Sequence, residues 1–176
     1  VAALGPLDGQ EVLDFCAGGG GKSLALAAAG ARVVAHDAEA RRMADLPARA
    51  ARAGARLRIA APGTVAGRFD LVVADVPCSG SGSWRRDPAG KWRLTPDRLA
   101  ALTATQDAIL DAAARHVRPG GRLAYMTCSL LEAENGERLA AFLGRRDGFA
   151  PLLQRCMTPL AESDGFFLGL FGHEPH

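Results

Sequence analysis

Lysine is almost missing from this chain of 176 residues, because Lys22 and Lys91 are the only two among its 21 Lys and Arg residues. The other cations are arginines, whose planar guanidinium suits forked contacts with phosphate and stacking on bases. The composition therefore permits a nucleic-acid partner. It does not require one, since the net charge is only +2 and a GC-rich genome that encodes its cations as arginine would give the same bias.

Cysteine pairs of the Cys-x-x-Cys type are also missing, which argues against a zinc site and a disulfide framework. The chain has no secretory signal and no apolar run long enough to span a bilayer. We therefore expect a cytoplasmic protein with free thiols, no metal and no membrane partner. Cys156 is expected in the core or in tail packing, and His173 and His176 in a solvated tail rather than as metal ligands.

Neither internal repeats nor a low-complexity linker divides the chain, so residues 1–176 are expected to form one domain that acts as a monomer. Apolar runs alternate with helical patterns and predict an α/β fold, doubly wound around a mainly parallel sheet. Strands are predicted at 11–15, 32–36, 57–60, 71–74, 122–126, 149–157 and 165–171. Helices are predicted at 22–29, 40–52, 96–116 and 132–145, with a loop at 84–93 and a turn at 119–121.

Four glycines at positions 18–21 follow the first predicted strand, where a doubly wound sheet lets the backbone approach a ligand. They form neither a P-loop nor a dinucleotide motif, because Cys16 and Ser23 occupy positions that need glycine. The run therefore predicts a cradle for a ligand without a pyrophosphate. Asp37, at the end of the second strand, is suited to accept hydrogen bonds from ribose hydroxyls. The alternative is a tight turn in which Asp37 caps the next helix.

Cys78 and Cys128 follow the fourth and fifth predicted strands, which are neighbours in the usual order, so both thiols can face one pocket. Singly, either cysteine could be a small buried hydrophobe. Beside Asp75 and the cradle, the pair indicates reactivity. A thiolate that adds to carbon 6 of cytosine lets carbon 5 accept a methyl group from a sulfonium. Asp75 is placed to act as an acid near ring nitrogen 3, and a base must remove the carbon 5 proton.

Aromatic and cationic residues share the predicted loop after Cys78, and such residues stack on bases and contact phosphates. Arg86, Lys91 and Trp92 are the candidates for contact with substrate RNA. The alternative is that the tryptophans cover the edge of the core and the cations are solvated. A second basic stretch is predicted to be a solvated helix face, and it contains Arg41, Arg42, Arg49, Arg52, Arg56 and Arg58.

Several motifs together resemble one family over nearly the whole chain. They are DFCAGGGGKS (14–23), DVPCSGSG (75–82), RRDPAGKW (85–92), Gln106, PGG (119–121), TCS (127–129) with Glu134 and Asn135, and DGFF (164–167). In combination they are similar to the Fmu/Sun family of RNA cytosine-5 methyltransferases. The joint presence of the Pro-Cys and Thr-Cys motifs is specific to that family.

The resemblance implies the catalytic domain of a Rossmann-like, S-adenosylmethionine-dependent methyltransferase, with seven strands of which the last is antiparallel. It implies that Cys128 attacks carbon 6, that Cys78 assists breakdown of the covalent intermediate, and that Asp75 lies between cofactor and base. A Thr-Cys nucleophile favours RNA over DNA, with ribosomal RNA the commoner target and transfer RNA next. The candidate cofactor-binding residues are Cys16, Ala17, Gly18, Gly19, Gly20, Gly21, Lys22, Asp37, Arg42 and Asp75.

The chain departs from the family pattern at three places. Gly18 and Gly19 replace Ala-Pro, which predicts a more flexible cofactor loop. No acid follows the third strand, where the family contacts adenosine, and no RNA-binding region of the family precedes the first strand. Two other functions therefore stay open, which are a methyltransferase acting on transfer RNA, DNA or a small molecule, and a non-catalytic module that binds RNA or protein.

Overall fold

Seven strands form one sheet in the residues that the computed structural model describes, 1–159 and 164–175. They are β1 (Glu11–Asp14), β2 (Arg32–His36), β3 (Leu57–Ala60), β4 (Phe69–Asp75), β5 (Val117–Thr127), β6 (Phe149–Met157) and β7 (Phe166–His173). Their order across the sheet is β3-β2-β1-β4-β5-β7-β6. Neighbours are parallel except that β7 runs antiparallel to β5 and β6. The predicted sheet, mainly parallel with an antiparallel last strand, is confirmed.

Helices cover both faces of this sheet. In the described part of the chain they are α1 (Gly21–Ala28), α2 (Leu46–Arg52), α3 (Pro88–Arg93), α4 (Pro96–Ala114) and α5 (Gly136–Arg145). Successive side chains of β4 point to opposite faces, so Leu71 and Val73 pack with Leu26 of α1 while Val72 packs with Leu110 of α4. The doubly wound architecture is confirmed. Because β1, β4 and β5 are parallel, the loops that follow them lie at the same edge of the sheet, at the carboxyl ends of the strands.

Two helices predicted as continuous are broken. The predicted helix 40–52 is a 3-10 turn at Ala40–Met43 followed by α2, because Pro47 in the first turn of α2 has no N–H to continue an earlier helix. The predicted helix 132–145 is a 3-10 turn at Glu132–Glu134 followed by α5. Asn135 separates these two segments with φ −118° and ψ −103°, outside the helical region.

Other boundaries differ because tertiary pairing overrides local signals. The loop predicted at 84–93 contains α3, which begins at Pro88. The Pro-Gly-Gly at 119–121 was expected to be a turn before a strand from 122, but β5 begins at Val117, and its register against β4 is irregular near Phe69. Strand β4 likewise begins earlier than predicted, at Phe69.

Cys156 and His173 lie in surroundings that differ from those predicted for them. Cys156 is exposed on β6 rather than in the core, because β6 is an edge strand and this side chain points to solvent. His173 ends β7, and its ring stacks on Phe149 at 4.6 Å between centroids, so it is no solvated tail residue. His176 lies outside the described residues. Among the described residues, no helix is both long and apolar enough to cross a membrane.

Candidate active site

The two cysteines after β4 and β5 lie in contact. Asp75 of β4 pairs in register with Met126 of β5, so both strands end at the same edge and the chain leaves each of them within three residues of a cysteine. The Sγ atoms of Cys78 and Cys128 are 3.3 Å apart, and both side chains are partly exposed. The strand order therefore brings the two thiols together, and their facing of one ligand pocket stays a prediction.

The contact between the thiols makes them chemically unequal. A hydrogen bond from Cys78 lowers the pKa of Cys128 to about 7; the Lys22 ammonium also lowers this pKa, against burial and the Asp75 carboxylate. The same hydrogen bond, with burial, raises the pKa of Cys78 far above its usual range. Near neutral pH, Cys128 is therefore substantially thiolate and Cys78 stays a thiol.

Selective alkylation checks this inequality. We expect iodoacetamide at low conversion to modify Cys128 before Cys78, with a midpoint for Cys128 near pH 7, as read by peptide mass spectrometry. Cys78→Ala removes the hydrogen bond that lowers the pKa of Cys128, so the midpoint should rise toward about 8.5, the value of a free cysteine. A Cys128 midpoint at that ordinary value in the unmodified protein would contradict the assignment.

Glycine lets the loop of Cys78 pack against two other segments. The N–H of Gly82 donates to the carbonyl of Cys128 at 2.9 Å, and the N–H of Gly165 donates to the carbonyl of Gly82 at 2.9 Å. A Cβ at Gly82 would lie only 2.8 Å from the Cα of Gly165, so only glycine permits this approach. The resemblance at 164–167 thus corresponds to a segment that touches the cysteine loops.

The glycine loop after β1 forms an open cradle. Gly18 and Gly20 have φ of +49° and +79°, conformations that favour glycine. The N–H of Ala17 donates to the carbonyl of His36 at 2.8 Å, which holds the loop against the end of β2. A Cβ at Gly18 or Gly21 would meet no atom within 4 Å, so the backbone there is accessible to a ligand.

Asp37 is buried and already carries structural hydrogen bonds. Its carboxylate accepts from the N–H groups of Gly18 and Glu39, both at 3.0 Å, and lies 3.8 Å from the guanidinium of Arg42. The turn-stabilising role considered as the alternative for Asp37 is therefore present. Contact between Asp37 and a ribose stays a prediction. The two carboxylate oxygens have further lone pairs that are available to accept such hydrogen bonds.

Arg49 was predicted to belong to a solvated helix face, and this is wrong. Its guanidinium reaches from α2 to the glycine loop and donates to the carbonyl of Gly19. The reason is that α2 packs beside the loop, with Leu46 close to Gly20. Arg42 stays exposed as predicted, although its guanidinium lies 3.8 Å from the carboxylate of Asp37.

Lys22 connects the cradle to the cysteine loops. Its ammonium pairs with the carboxylate of Asp75, and each side chain is 32% exposed. The same ammonium lies 5.9 Å from the ring centroid of Phe166 at the start of β7. Sequence reasoning missed this role of Phe166, although it noted the DGFF motif. The Lys22–Asp75 pair thus faces the space between the glycine loop and the two thiols.

Carboxylates surround the cradle and suit a cationic ligand. Burial, followed by the carboxylates of Asp14, Asp37 and Asp75, raises the pKa of Cys16 to about 12, so this thiol is not a nucleophile. Burial raises the pKa of Asp14 to about 6, and its Oδ1 is buried with no partner among the described residues. Open glycine backbone beside oriented carboxylates fits a sulfonium-bearing nucleoside.

The candidate RNA-contact residues differ in how free they are. Trp92 is 82% exposed, and the Lys91 ammonium lies 5.5 Å from its ring centroid. Arg86 pairs with Asp164, although its side chain is 68% exposed. Trp84 is half-buried beside Gly90, and its packing on the edge of the core stays a prediction. In the described ranges, no three His, Cys, Asp or Glu residues lie together as a metal site would require.

The chain has a doubly wound sheet with an antiparallel last strand, a glycine cradle after β1 and a carboxylate-rich ligand space. Together these features define the class of Rossmann-like, S-adenosylmethionine-dependent methyltransferases. Residues 1–169 match the family described as 16S rRNA methyltransferase RsmB/F, and the chain belongs to that family. Family membership supports S-adenosylmethionine as the cofactor. The Fmu/Sun resemblance is confirmed.

Individual relatives agree with this placement. The chain is 39% identical over 154 residues to ribosomal RNA small subunit methyltransferase B of Erwinia tasmaniensis, covering 82% of this chain and 36% of that protein. The crystal structure of PH0851 superposes with a TM-score of 0.89 at 30% identity, covering 97% of this chain and 44% of that one. NSun6 from Pyrococcus horikoshii, solved with SFG, gives a TM-score of 0.87 at 20% identity over 99% and 50%, which shows a common fold.

Proposed function

We propose that the chain transfers a methyl group from S-adenosylmethionine to carbon 5 of a cytosine in ribosomal RNA, with Cys128 as the nucleophile. The observation that carries the proposal is the contact of the two thiols, 3.3 Å apart beside the cradle, with the pKa of Cys128 lowered to about 7. The name of the Erwinia relative supports a ribosomal substrate.

In the first step, the Cys128 thiolate adds to carbon 6 of the cytosine, and the electron pair of the 5,6 double bond moves toward carbon 5. Asp75, held by its ion pair with the Lys22 ammonium, lies beside the site, where we propose that it acts as the acid near ring nitrogen 3. The bound cofactor supplies an electrophilic methyl group on its sulfonium. Carbon 5 would then carry both its original proton and the methyl group, whose bond to the sulfonium would break to leave a neutral thioether.

In the second step, Cys78 removes the carbon 5 proton, and the ring expels Cys128 as a thiolate. The first cause of the raised pKa of Cys78 is its hydrogen bond to Cys128. Once Cys128 is a thioether, it no longer accepts this bond as an anion, so the pKa of Cys78 falls. Only after the adduct has formed can Cys78, which is partly exposed, release its own proton to solvent and act as a thiolate base.

We also propose that residues 1–176 act as one catalytic domain, supported by the single sheet with a core on each face. The chain spans 36% of the length of the Erwinia relative, so the activity of the whole relative is part of this proposal. A ribosomal substrate favours the cytoplasm as the compartment. Exposed Trp92 and Lys91 support RNA contact, and the monomeric state stays a prediction.

Methyl transfer from radiolabelled S-adenosylmethionine tests the function directly. We expect label in 16S ribosomal RNA, found by bisulfite sequencing at a cytosine, and little in transfer RNA or duplex DNA. Label in transfer RNA or DNA alone would change the substrate. No label, with no calorimetric heat from S-adenosylmethionine at millimolar concentration, would favour the non-catalytic module that the lack of an acid after β3 suggests.

A further inference from the structure

A buried carboxylate joins the loops that carry the two cysteines. Glu134, at the end of the 3-10 turn after β5, has a fully buried side chain. One oxygen accepts from the N–H of Ser79 at 2.8 Å, and the other accepts from the hydroxyls of Ser79 at 2.5 Å and Ser129 at 2.6 Å. Ser79 follows Cys78 and Ser129 follows Cys128, so one side chain holds the residue after each cysteine.

Gln106 of α4 completes this arrangement. Its amide donates to Glu134 at 3.0 Å and to the carbonyl of Pro77, directly before Cys78, also at 3.0 Å. Four donors therefore surround the carboxylate of Glu134, which is the complement that an ionised carboxylate needs where water is absent. We call Glu134, Ser79, Ser129 and Gln106 the Glu134 network.

The residue next to Glu134 holds the other side of the Cys128 loop. The hydroxyl of Thr127 donates to the side-chain oxygen of Asn135 at 2.7 Å, and the amide of Asn135 donates to the carbonyl of Ser129 at 2.9 Å. Glu134 and Asn135 thus hold Thr127 and Ser129, the residues on both sides of Cys128. The side chain of Cys128 itself stays free to react.

We propose that Glu134 is a positioning residue, whose carboxylate sets the distance between the Cys78 and Cys128 sulfur atoms by binding Ser79 and Ser129 together. In the described residues, the side chains of the two serines are linked to each other by only two further contacts. Their hydroxyls lie 3.3 Å apart, and Ser81 contacts each of them. Among the described residues, the Glu134 carboxylate bonds to Ser79, Ser129 and Gln106 and to neither thiol. The proposal rests on the proposed function only in taking both cysteines as the reacting pair.

A purely structural role would stabilise the fold without affecting the thiols. The positioning role makes a different prediction, because the hydrogen bond between the two sulfur atoms depends on their distance and direction and is lost when their loops separate. Cys128 should then lose the contact that favours its thiolate, while the protein stays folded.

Thiol alkylation of Glu134→Gln, without RNA or cofactor, tests the proposal. The amide nitrogen of Gln cannot accept from the serine donors, so we expect the alkylation midpoint of Cys128 to move up toward about 8.5. The alkylation rate at pH 7 should fall about 15-fold, which is the change in thiolate fraction for that movement. Oxidation by diamide to a Cys78–Cys128 disulfide should also slow.

Tyr125→Phe is the matched control. Its hydroxyl donates to the backbone carbonyl of Glu134 at 2.6 Å, so the change removes a buried hydrogen bond of the same turn but leaves the carboxylate in place. We expect a lower melting temperature and an unchanged Cys128 midpoint. If Glu134→Gln does not fold, Ser129→Ala removes one arm of the network and should raise the midpoint by part of the full amount.

A folded Glu134→Gln protein, or failing that a folded Ser129→Ala protein, whose Cys128 midpoint equals that of the unmodified protein would overturn the proposal. A shift of equal size in Tyr125→Phe would also overturn it, because general loosening would then explain the effect. Neither result depends on methyl transfer. Loss of the positioning role and loss of the proposed function are therefore distinguishable.

Discussion

Cys128→Ala is expected to lower methyl transfer to ribosomal RNA by at least about 10³-fold, because it removes the thiolate that we propose adds to carbon 6. Cys16 cannot replace it, since burial and neighbouring carboxylates raise the pKa of that thiol to about 12. Cys78 loses in this variant the hydrogen bond that most raises its pKa, but burial still raises it. The measurement is the rate of label transfer from S-adenosylmethionine at saturating RNA.

The matched control for this loss is Cys156→Ala, the same substitution at an exposed position on β6. It should transfer label at the rate of the unmodified protein. Calorimetric binding of S-adenosylmethionine should be equal in both variants, because the glycine cradle contains neither cysteine. Transfer by Cys128→Ala within tenfold of the unmodified rate would exclude it as the nucleophile.

Cys78→Ala is expected to arrest the reaction later, with covalent protein–RNA adduct accumulating on ordinary RNA. Without Cys78, no thiol lies in contact with Cys128 to remove the carbon 5 proton, so turnover should fall by about 10²-fold or more. Adduct formation should slow less, about 15-fold at pH 7, because the pKa of Cys128 rises toward its ordinary value. Raising the pH to about 8.5 should therefore restore adduct formation but not turnover.

Denaturing gels with methylated product quantified in parallel separate these steps. The double variant, lacking both cysteines, should form no adduct and gives the background. Full turnover by Cys78→Ala without any accumulated adduct would show that another group removes the proton. In that case the order of the two cysteines would need a different assignment.

The sheet and the cysteine pair could be predicted because both follow from strand order. A central parallel strand is apolar throughout, as the buried residues from Leu71 to Ala74 are, and its end is visible in the sequence where Asp75 begins. Consecutive strands that lie side by side bring their following loops together, which is why Cys78 and Cys128 could be paired without coordinates.

The connections across the site could not be predicted, because they depend on how far long side chains reach. Arg49 looks like any arginine of an exposed helix, yet it crosses to the carbonyl of Gly19. Lys22 could have bound a ligand, yet it pairs with Asp75. Glu134 was predicted only as part of a motif, because its local sequence does not distinguish it from the exposed Glu132 two residues earlier.

The predicted starts of two helices were wrong for a related reason. Pro47 and Asn135 interrupt patterns whose apolar spacing continues across them, so periodicity alone joined a 3-10 turn to the following helix. At Asn135 this break has a functional consequence. The turn before it directs Glu134 inward toward the serines, which an unbroken helix over 132–145 would not do.

Covalent trapping on RNA that contains 5-fluorocytosine tests the central claim most directly, since fluorine at carbon 5 cannot be removed as a proton and the adduct persists. We predict a stable adduct, dependent on S-adenosylmethionine, with the unmodified protein and with Cys78→Ala, linked through Cys128 by peptide mass spectrometry. Cys128→Ala should give none. An adduct linked through Cys78, or one that survives in Cys128→Ala, would contradict the account.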